Sequence, residues 1–127
     1  METSPHDPGN AEARRHPRYR AKEDILVYNE TTFAEIIDIS EAGLSCRYLV
    51  NLRDTERRVA AVDLLNGPER LHVRDIKCRE VYCRDEIISL SFPSTVLRTC
   101  GITFADVDEE KNRQIKHFIH HSTVGPH

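Results

Sequence analysis

The 127-residue sequence contains no tryptophan and one methionine, and its aromatic residues are four tyrosines and four phenylalanines. We therefore expect a core built mainly from aliphatic side chains. No apolar run approaches the roughly 18 residues that a membrane-spanning helix requires. Residues 1–13 are polar and lack the apolar segment of a signal peptide, so we expect a cytoplasmic protein without membrane insertion.

The sequence also lacks the short motifs of common enzymes. It has no P-loop, no GxGxxG motif and no recognisable Cys–His or Ser–His arrangement, which argues against catalysis. No CxxC pair occurs among its four cysteines, Cys46, Cys78, Cys83 and Cys100. In a reducing cytosol such cysteines are expected to be free, buried thiols rather than disulfide partners or metal ligands. We expect no cofactor and no metal.

Charge is unevenly distributed along the chain. The formal net charge is −3 with histidine neutral, which argues against broad nucleic-acid binding. The stretch from Arg14 to Lys22 reads RRHPRYRAK and contains five basic residues and no acid, whereas acids collect near residues 106–110. A basic cluster on an acidic protein predicts a discrete anion-binding site.

Short apolar, β-branched segments separated by turn residues predict a series of strands. The predicted strands are Ile25–Tyr28, Thr32–Ile39, Leu44–Val50, Val59–Leu65, Leu71–Cys83, Ile87–Phe92 and Arg98–Phe104. The apolar residues within Leu71–Cys83 fall out of phase with one another, which predicts bulges or strong curvature. Six or seven short strands are typical of a small closed antiparallel barrel.

The last predicted element is a helix. Asp108 is a suitable N-cap, and Glu109 and Glu110 after it favour the first turn through the helix dipole. Three apolar residues, at 115, 118 and 119, follow helical spacing and predict one buried face. The sequence therefore predicts a mainly β fold, a small six-stranded antiparallel β-barrel with a C-terminal α-helix.

Two short motifs carry the polar chemistry. RRHPR occupies residues 14–18 and DISEAG occupies residues 38–43, with room for one hairpin between them. The planar fork of arginine fits phosphate oxygens and the O6/N7 edge of guanine, and its plane can stack on a base. A carboxylate accepts from the N1–H and N2–H edge of guanine, and glycine lets the backbone turn sharply. The combination favours an anionic ligand that carries guanine.

In this order and spacing, the two motifs resemble the signature of PilZ domains, which are receptors for cyclic di-GMP. The resemblance extends over roughly Glu12 to His121. It implies a six-stranded antiparallel barrel with a C-terminal helix. It also implies ligand contacts from the motif residues Arg14, Arg15, Arg18, Asp38, Ser40 and Gly43. In that family the residue before the first arginine influences how many ligands bind, and the resemblance implies that Ala13 at this position favours a single ligand over an intercalated pair.

The resemblance also predicts how the chain is organised. We expect a flexible N-terminal arm at residues 1–11, a PilZ-like domain at 12–121 and a C-terminal tail at 122–127. Ligand binding is expected to fold the basic segment onto the barrel and so alter the contact with an unidentified protein partner. DNA and RNA are not expected as partners.

Three alternatives remain open at this point. A PilZ-like protein–protein adaptor would ignore nucleotides altogether. A barrel for single-stranded nucleic acid would need more aromatic platforms and a wider basic face than this composition provides. A metal site at His117, His120 and His121 is less favoured than a basic helix end matched to the helix dipole.

Overall fold

The computed structural model describes residues 16–53 and 59–125. No helix in these residues is both long enough and apolar enough to cross a membrane. The described elements follow one another as β1 (Tyr19–Arg20), β2 (Ile25–Tyr28), β3 (Phe33–Ser40), β4 (Gly43–Asn51), β5 (Ala61–Asn66), β6 (Leu71–Ile87), β7 (Thr95–Phe104) and α1 (Glu109–Ser122).

Strands β2 to β7 close into a six-stranded antiparallel barrel. Their order around the ring is β3, β2, β5, β6, β7, β4, and the pairing of β4 with β3 completes it. The short strand β1 lies outside this ring, beside the end of β3. The predicted mainly β fold, a six-stranded antiparallel barrel with a C-terminal helix, is confirmed, and β1 is an additional strand.

A single aliphatic core fills the barrel and extends beneath the helix. Cys100, Ile102 and Phe104 of β7 face this core, as their alternation predicts. On α1, Ile115 and Phe118 are among the least exposed side chains of the protein. Removal of this aliphatic surface from water supplies the main driving force for the fold.

Both ends of α1 are held by specific hydrogen bonds. The carboxylate of Asp108 accepts from the amide of Lys111 at 2.7 Å, so the predicted N-cap is confirmed. At the other end, Asn66 Nδ2 donates to Ser122 Oγ at 2.8 Å. The carbonyl of Ser122 also accepts from the amide of Lys22 at 2.8 Å. The C-terminal end of the helix is thereby fastened both to the barrel and to the segment that follows β1.

The predicted strand Ile87–Phe92 is wrong. Strand β6 continues without interruption to Ile87, the chain reverses through residues 88–94, and it returns as β7. Backbone hydrogen bonds from Phe92 to Ser89 and from Thr95 to Phe92 form this turn. Pro93 therefore belongs to the turn of a long hairpin and does not end a separate strand. The bulges predicted for this region are confirmed, since the register shifts between Glu80 and Tyr82.

The expectation of four free thiols is also wrong. Cys83 and Cys100 form a disulfide between β6 and β7. They are direct register partners with Cα atoms 4.2 Å apart, a placement that brings their side chains together on one face of the sheet. Cys46 and Cys78 are free and buried, as expected.

We expect chemical titration to count two thiols in the denatured, non-reduced protein and four after reduction. In the folded protein neither free thiol should react at pH 8, because burial raises the pKa of Cys46 to about 12 and that of Cys78 to about 11. The thiolate form of Cys46 is then about a thousandfold rarer than that of an ordinary cysteine. The Cys83→Ser variant should show three thiols, and four in the denatured, non-reduced wild type would contradict the disulfide.

Candidate functional site

One residue from each motif meets on the outer face of the barrel. Strand β1 pairs with the end of β3, with Arg20 opposite Asp38, and Arg18 therefore lies above the same strand. Arg18 Nη1 donates to Asp38 Oδ1 at 3.2 Å, and the side chains are 48% and 30% exposed. Arg14 and Arg15, the other predicted arginine contacts, lie outside the described residues.

The segment that follows Arg18 has a fixed backbone. The amide of Ala21 donates to the carbonyl of Ile37 in β3 at 3.0 Å. Ala21 also forms an isolated β-bridge with Thr123, and the amide of Val124 donates to the carbonyl of Arg20 at 2.9 Å. Strand β1 is thus held between β3 and the residues just after α1, which places the C-terminal part of the basic stretch, from Tyr19 to Lys22, at a defined position.

Asp38 has a second partner that the sequence analysis missed. Ser45 Oγ donates to Asp38 Oδ1 at 2.9 Å, and Ser45 is almost completely buried. This bond orients the carboxylate on the outer face of the sheet. Ser45 could have been found by counting back from a two-residue turn at residues 41–42, because such a turn pairs Asp38 with Ser45.

Ser40 holds the turn between β3 and β4. Its hydroxyl accepts from the amide of Ala42 at 3.1 Å and donates to the carbonyl of Gly43 at 3.4 Å. The residue is only 4% exposed. Its hydroxyl therefore has a structural role in the described structure, in addition to any role it has toward a ligand.

Gly43 is required by a close approach of two strands. A Cβ atom built there would overlap the carbonyl oxygen of Ile102 and lie 3.1 Å from its carbonyl carbon. The amide of Phe104 donates to the carbonyl of Ala42 at 2.9 Å in the same region. The glycine of the second motif therefore lets the β3–β4 turn pack directly against β7, where the barrel closes.

Within residues 16–53 and 59–125, Arg18 and Asp38 lie on the outer surface of the barrel and line none of the three cavities described there. A cavity with a volume of about 520 Å³ opens near Tyr28, Phe33 and Tyr48. Neither Arg18 nor any described residue of the second motif lines it. A ligand at Arg18 and Asp38 would rest on the outside of the barrel.

Among the described residues, Glu80, Cys83 and Cys100 are the one group of at least three potential metal-ligand atoms within 4.8 Å of one another. Two of these atoms are the disulfide sulfurs, so this arrangement does not offer a free thiolate pair. His117, His120 and His121 lie close along the end of α1, with ring contacts between neighbours, but they do not form such a group.

Solved structures with a similar fold identify the architecture. The PilZ domain of YcgR from Escherichia coli, solved with c-di-GMP, has a TM-score of 0.60 and 15% identity, covering 84% of this chain and 88% of that chain. A longer YcgR chain from E. coli, in complex with c-di-GMP, has the same TM-score and identity, covering 84% of this chain and 44% of that chain. The MrkH–c-di-GMP complex of K. pneumonia has a TM-score of 0.61 and 15% identity, and the match covers 84% of this chain and 50% of that chain.

These structures define the class of the fold, a closed antiparallel barrel with a C-terminal helix. The chain has a PilZ-like fold, and the predicted resemblance is confirmed at the level of fold. It spans about half the length of the longer YcgR and MrkH chains. No family model and no curated protein matches the sequence.

We expect Gly43→Ala to lower the free energy of unfolding by about 1–3 kcal/mol, because the new Cβ would force the backbones of β4 and β7 apart. Gly67→Ala is the matched control, since a Cβ at Gly67 meets nothing within 4 Å. That control should shift the free energy of unfolding by less than about 1 kcal/mol. Urea unfolding followed by circular dichroism measures both changes. Equal stability of the two variants would contradict the packing role of Gly43.

Proposed function

We propose that this chain is a receptor domain for cyclic di-GMP. The observation that carries the proposal is the meeting of Arg18 and Asp38 on the outer face of a PilZ-like barrel. The matched YcgR and MrkH structures are complexes with c-di-GMP, which supports the choice of ligand. In this proposal the contacts come from Arg14, Arg15, Arg18, Asp38, Ser40 and Gly43.

The two described side chains have complementary roles toward such a ligand. The guanidinium of Arg18 donates to phosphate oxygens or to the O6/N7 edge of guanine. The carboxylate of Asp38 accepts from the N1–H and N2–H edge of a guanine base. In the structure these groups form an ion pair that is partly exposed to water and therefore contributes only about 0–1 kcal/mol. A ligand can replace that ion pair at little cost.

We further propose that binding folds residues 14–18 over the ligand. The site is an open surface, so one side of a bound nucleotide would stay in contact with water unless residues 14–18 covered it. Because β1 is hydrogen-bonded to β3 and to the residues after α1, a change at Arg18 acts directly on the end of the helix. An altered surface there would change the contact with a protein partner in the cytoplasm.

A second candidate function is a protein–protein adaptor that needs no nucleotide. Apolar side chains at the tip of the β6–β7 hairpin favour a protein contact. Leu90 is 91% exposed, and Ile87 and Phe92 are also largely exposed. The same apolar surface also fits the proposed receptor function, because a receptor would use it to contact the protein that it regulates.

Calorimetric titration with cyclic di-GMP tests the receptor directly. We expect saturable binding by the wild type, with one ligand per chain. Arg18→Ala should weaken it by about 1.5–3 kcal/mol, or roughly 10- to 150-fold, because a charge-assisted contact is lost. The variant should fold normally, since the ion pair that it removes is exposed.

Arg113→Ala is the matched control for this titration. Arg113 pairs with Glu110 on the helix surface, so its loss also removes an exposed ion pair. Its affinity for the ligand should equal that of the wild type. Absence of binding by the folded wild type would overturn the receptor proposal and favour the adaptor.

Limited trypsin digestion tests the proposed folding of the basic segment. Cleavage after Arg14, Arg15 and Arg18 should slow when cyclic di-GMP is added, because the ligand would engage these side chains. Cleavage after Arg53, an exposed residue in a different loop, should not change and serves as the internal control. Equal rates at the arginine motif with and without saturating ligand would contradict the folding step.

A further inference from the structure

Three of the four cysteines lie side by side on neighbouring strands, although they are distant in sequence. Cys46 of β4 is the register partner of Cys100 in β7, and Cys100 is the partner of Cys83 in β6. Directly paired residues in antiparallel strands point to the same face. Since Cys46 and Cys100 are both buried in the core, all three side chains leave their strands on the inner side of the barrel.

A carboxylate joins the cysteines from the same side. Glu80 of β6 is the register partner of Ile102, a core residue, so its side chain also starts on the inner side. Residues three apart on a regular strand point to opposite faces, but the bulge at Val81 places Glu80 and Cys83 on the same one. The carboxylate of Glu80 and the sulfurs of Cys83 and Cys100 lie within 4.8 Å of one another.

This cluster of Glu80, Cys83 and Cys100 can be reached from solvent. Cys100 is almost completely buried, whereas Glu80 and Cys83 are exposed. Glu80 and Cys100 also line the cavity of about 520 Å³, which neither Arg18 nor Asp38 lines. A small ion or a reductant therefore has access to the cluster that does not pass through the candidate nucleotide site.

The donor atoms of the cluster match the preferences of zinc. Zn²⁺ binds thiolates and carboxylates, and soft thiolates select it over Mg²⁺ and Ca²⁺. Tetrahedral coordination at about 2.0–2.3 Å places neighbouring ligand atoms roughly 3.3–3.8 Å apart. Atoms that already lie within 4.8 Å of one another need only small side-chain rotations to meet this requirement. The disulfide prevents such coordination while it is intact, because its two sulfurs are bonded to each other.

Two neighbouring groups complete the surroundings of the cluster. The hydroxyl of Tyr48 lies 3.9 Å from Cys100 Sγ, where it can donate to a thiolate and orient it. The thiol of Cys46 lies outside the group of close ligand atoms, and burial raises its pKa to about 12, so it stays protonated. Three protein ligands then leave the fourth coordination position of a zinc ion to water from the cavity.

We propose that reduction of the Cys83–Cys100 disulfide by a dithiol converts this cluster into a Zn²⁺ site, with the thiolates of Cys83 and Cys100 and the carboxylate of Glu80 as ligands. The site is separate from the receptor function, because its ligands face the inside of the barrel and Asp38 faces outward. Its occupancy depends on the redox state of the surroundings.

The reduction and the binding step balance without any further reactant. A thiolate of the dithiol attacks the exposed sulfur of Cys83, and the bond to Cys100 breaks with Cys100 leaving as a thiolate. The second thiol of the reductant then displaces Cys83, so the reductant becomes a disulfide and the protein holds two thiols. Zn²⁺ binds both sulfurs as thiolates, and the two thiol protons are released.

Titration with Co²⁺ tests the site, because a cobalt–thiolate bond absorbs in the near ultraviolet and the free ion does not. The full chain is reduced with dithiothreitol, separated from it by gel filtration without oxygen, and titrated. We expect the absorption to saturate at one Co²⁺ per chain and to disappear when Zn²⁺ displaces the cobalt. The unreduced protein should show no such absorption. Its absence from the reduced, folded protein, or an equal signal from the unreduced protein, would overturn the site.

Variants assign the ligands. Glu80→Gln should weaken Co²⁺ binding by at least roughly tenfold, since even partners outside the ligand set change metal affinity by about 10- to 100-fold. Cys83→Ser should weaken it at least as much, because one thiolate is lost. Cys78→Ala removes a buried thiol outside the cluster and Glu86→Gln removes an exposed carboxylate of the same strand, so both should bind like the wild type.

Circular dichroism establishes that each variant is folded. If Cys83→Ser is not, the comparison of Glu80→Gln with Glu86→Gln decides, because both of these carboxylates are exposed. Undiminished cobalt–thiolate absorption and affinity in Glu80→Gln or in folded Cys83→Ser would show that the ion binds elsewhere and would overturn the proposed site.

Discussion

A β-bulge in β3 determines what the candidate site presents to solvent. The register of β3 with β4 runs from Ile36 opposite Cys46 to Asp38 opposite Ser45, so Ile37 is an extra residue. In a regular ladder without the bulge, Asp38 would lie on the same side of the strand as Ile36 and point into the apolar core. The bulge reverses the alternation, so that Ile36 and Ile39 are both buried while Asp38 faces outward beneath Arg18.

A second bulge lies in β6, which is three strands away from β3 across the outer face of the barrel. In β6 the register moves from Glu80 opposite Ile102 to Tyr82 opposite Gly101, and Val81 is the extra residue. This second bulge turns Tyr82 onto the outer face that contains Asp38. Two bulges, on strands that are not paired with each other, therefore orient the aromatic ring and the carboxylate toward one surface. The absence of a side chain at Gly101 then leaves room for the ring.

These bulges also mark the limit of what the sequence could predict. Apolar alternation predicted most strands, the barrel and the buried stripe of α1, because burial imposes a period that can be read along the chain. The disulfide and the position of Tyr82 relative to Asp38 depend on the exact register between paired strands, which apolar alternation alone does not give. A shift of one residue changes every such pairing. The out-of-phase apolar residues of β6 predicted a bulge there, but not which side chain it would turn outward.

A site on the convex outside of a barrel restricts the chemistry of its ligand. A cavity removes most of a ligand from water and can bind it through apolar contact, but an outer surface cannot. Affinity must then come from charge-assisted hydrogen bonds and from stacking, which need little enclosure. Arg18 and Asp38 supply charged groups for the first kind of contact. In the proposed function an anionic ligand satisfies this requirement, whereas a neutral apolar molecule would gain little from this surface.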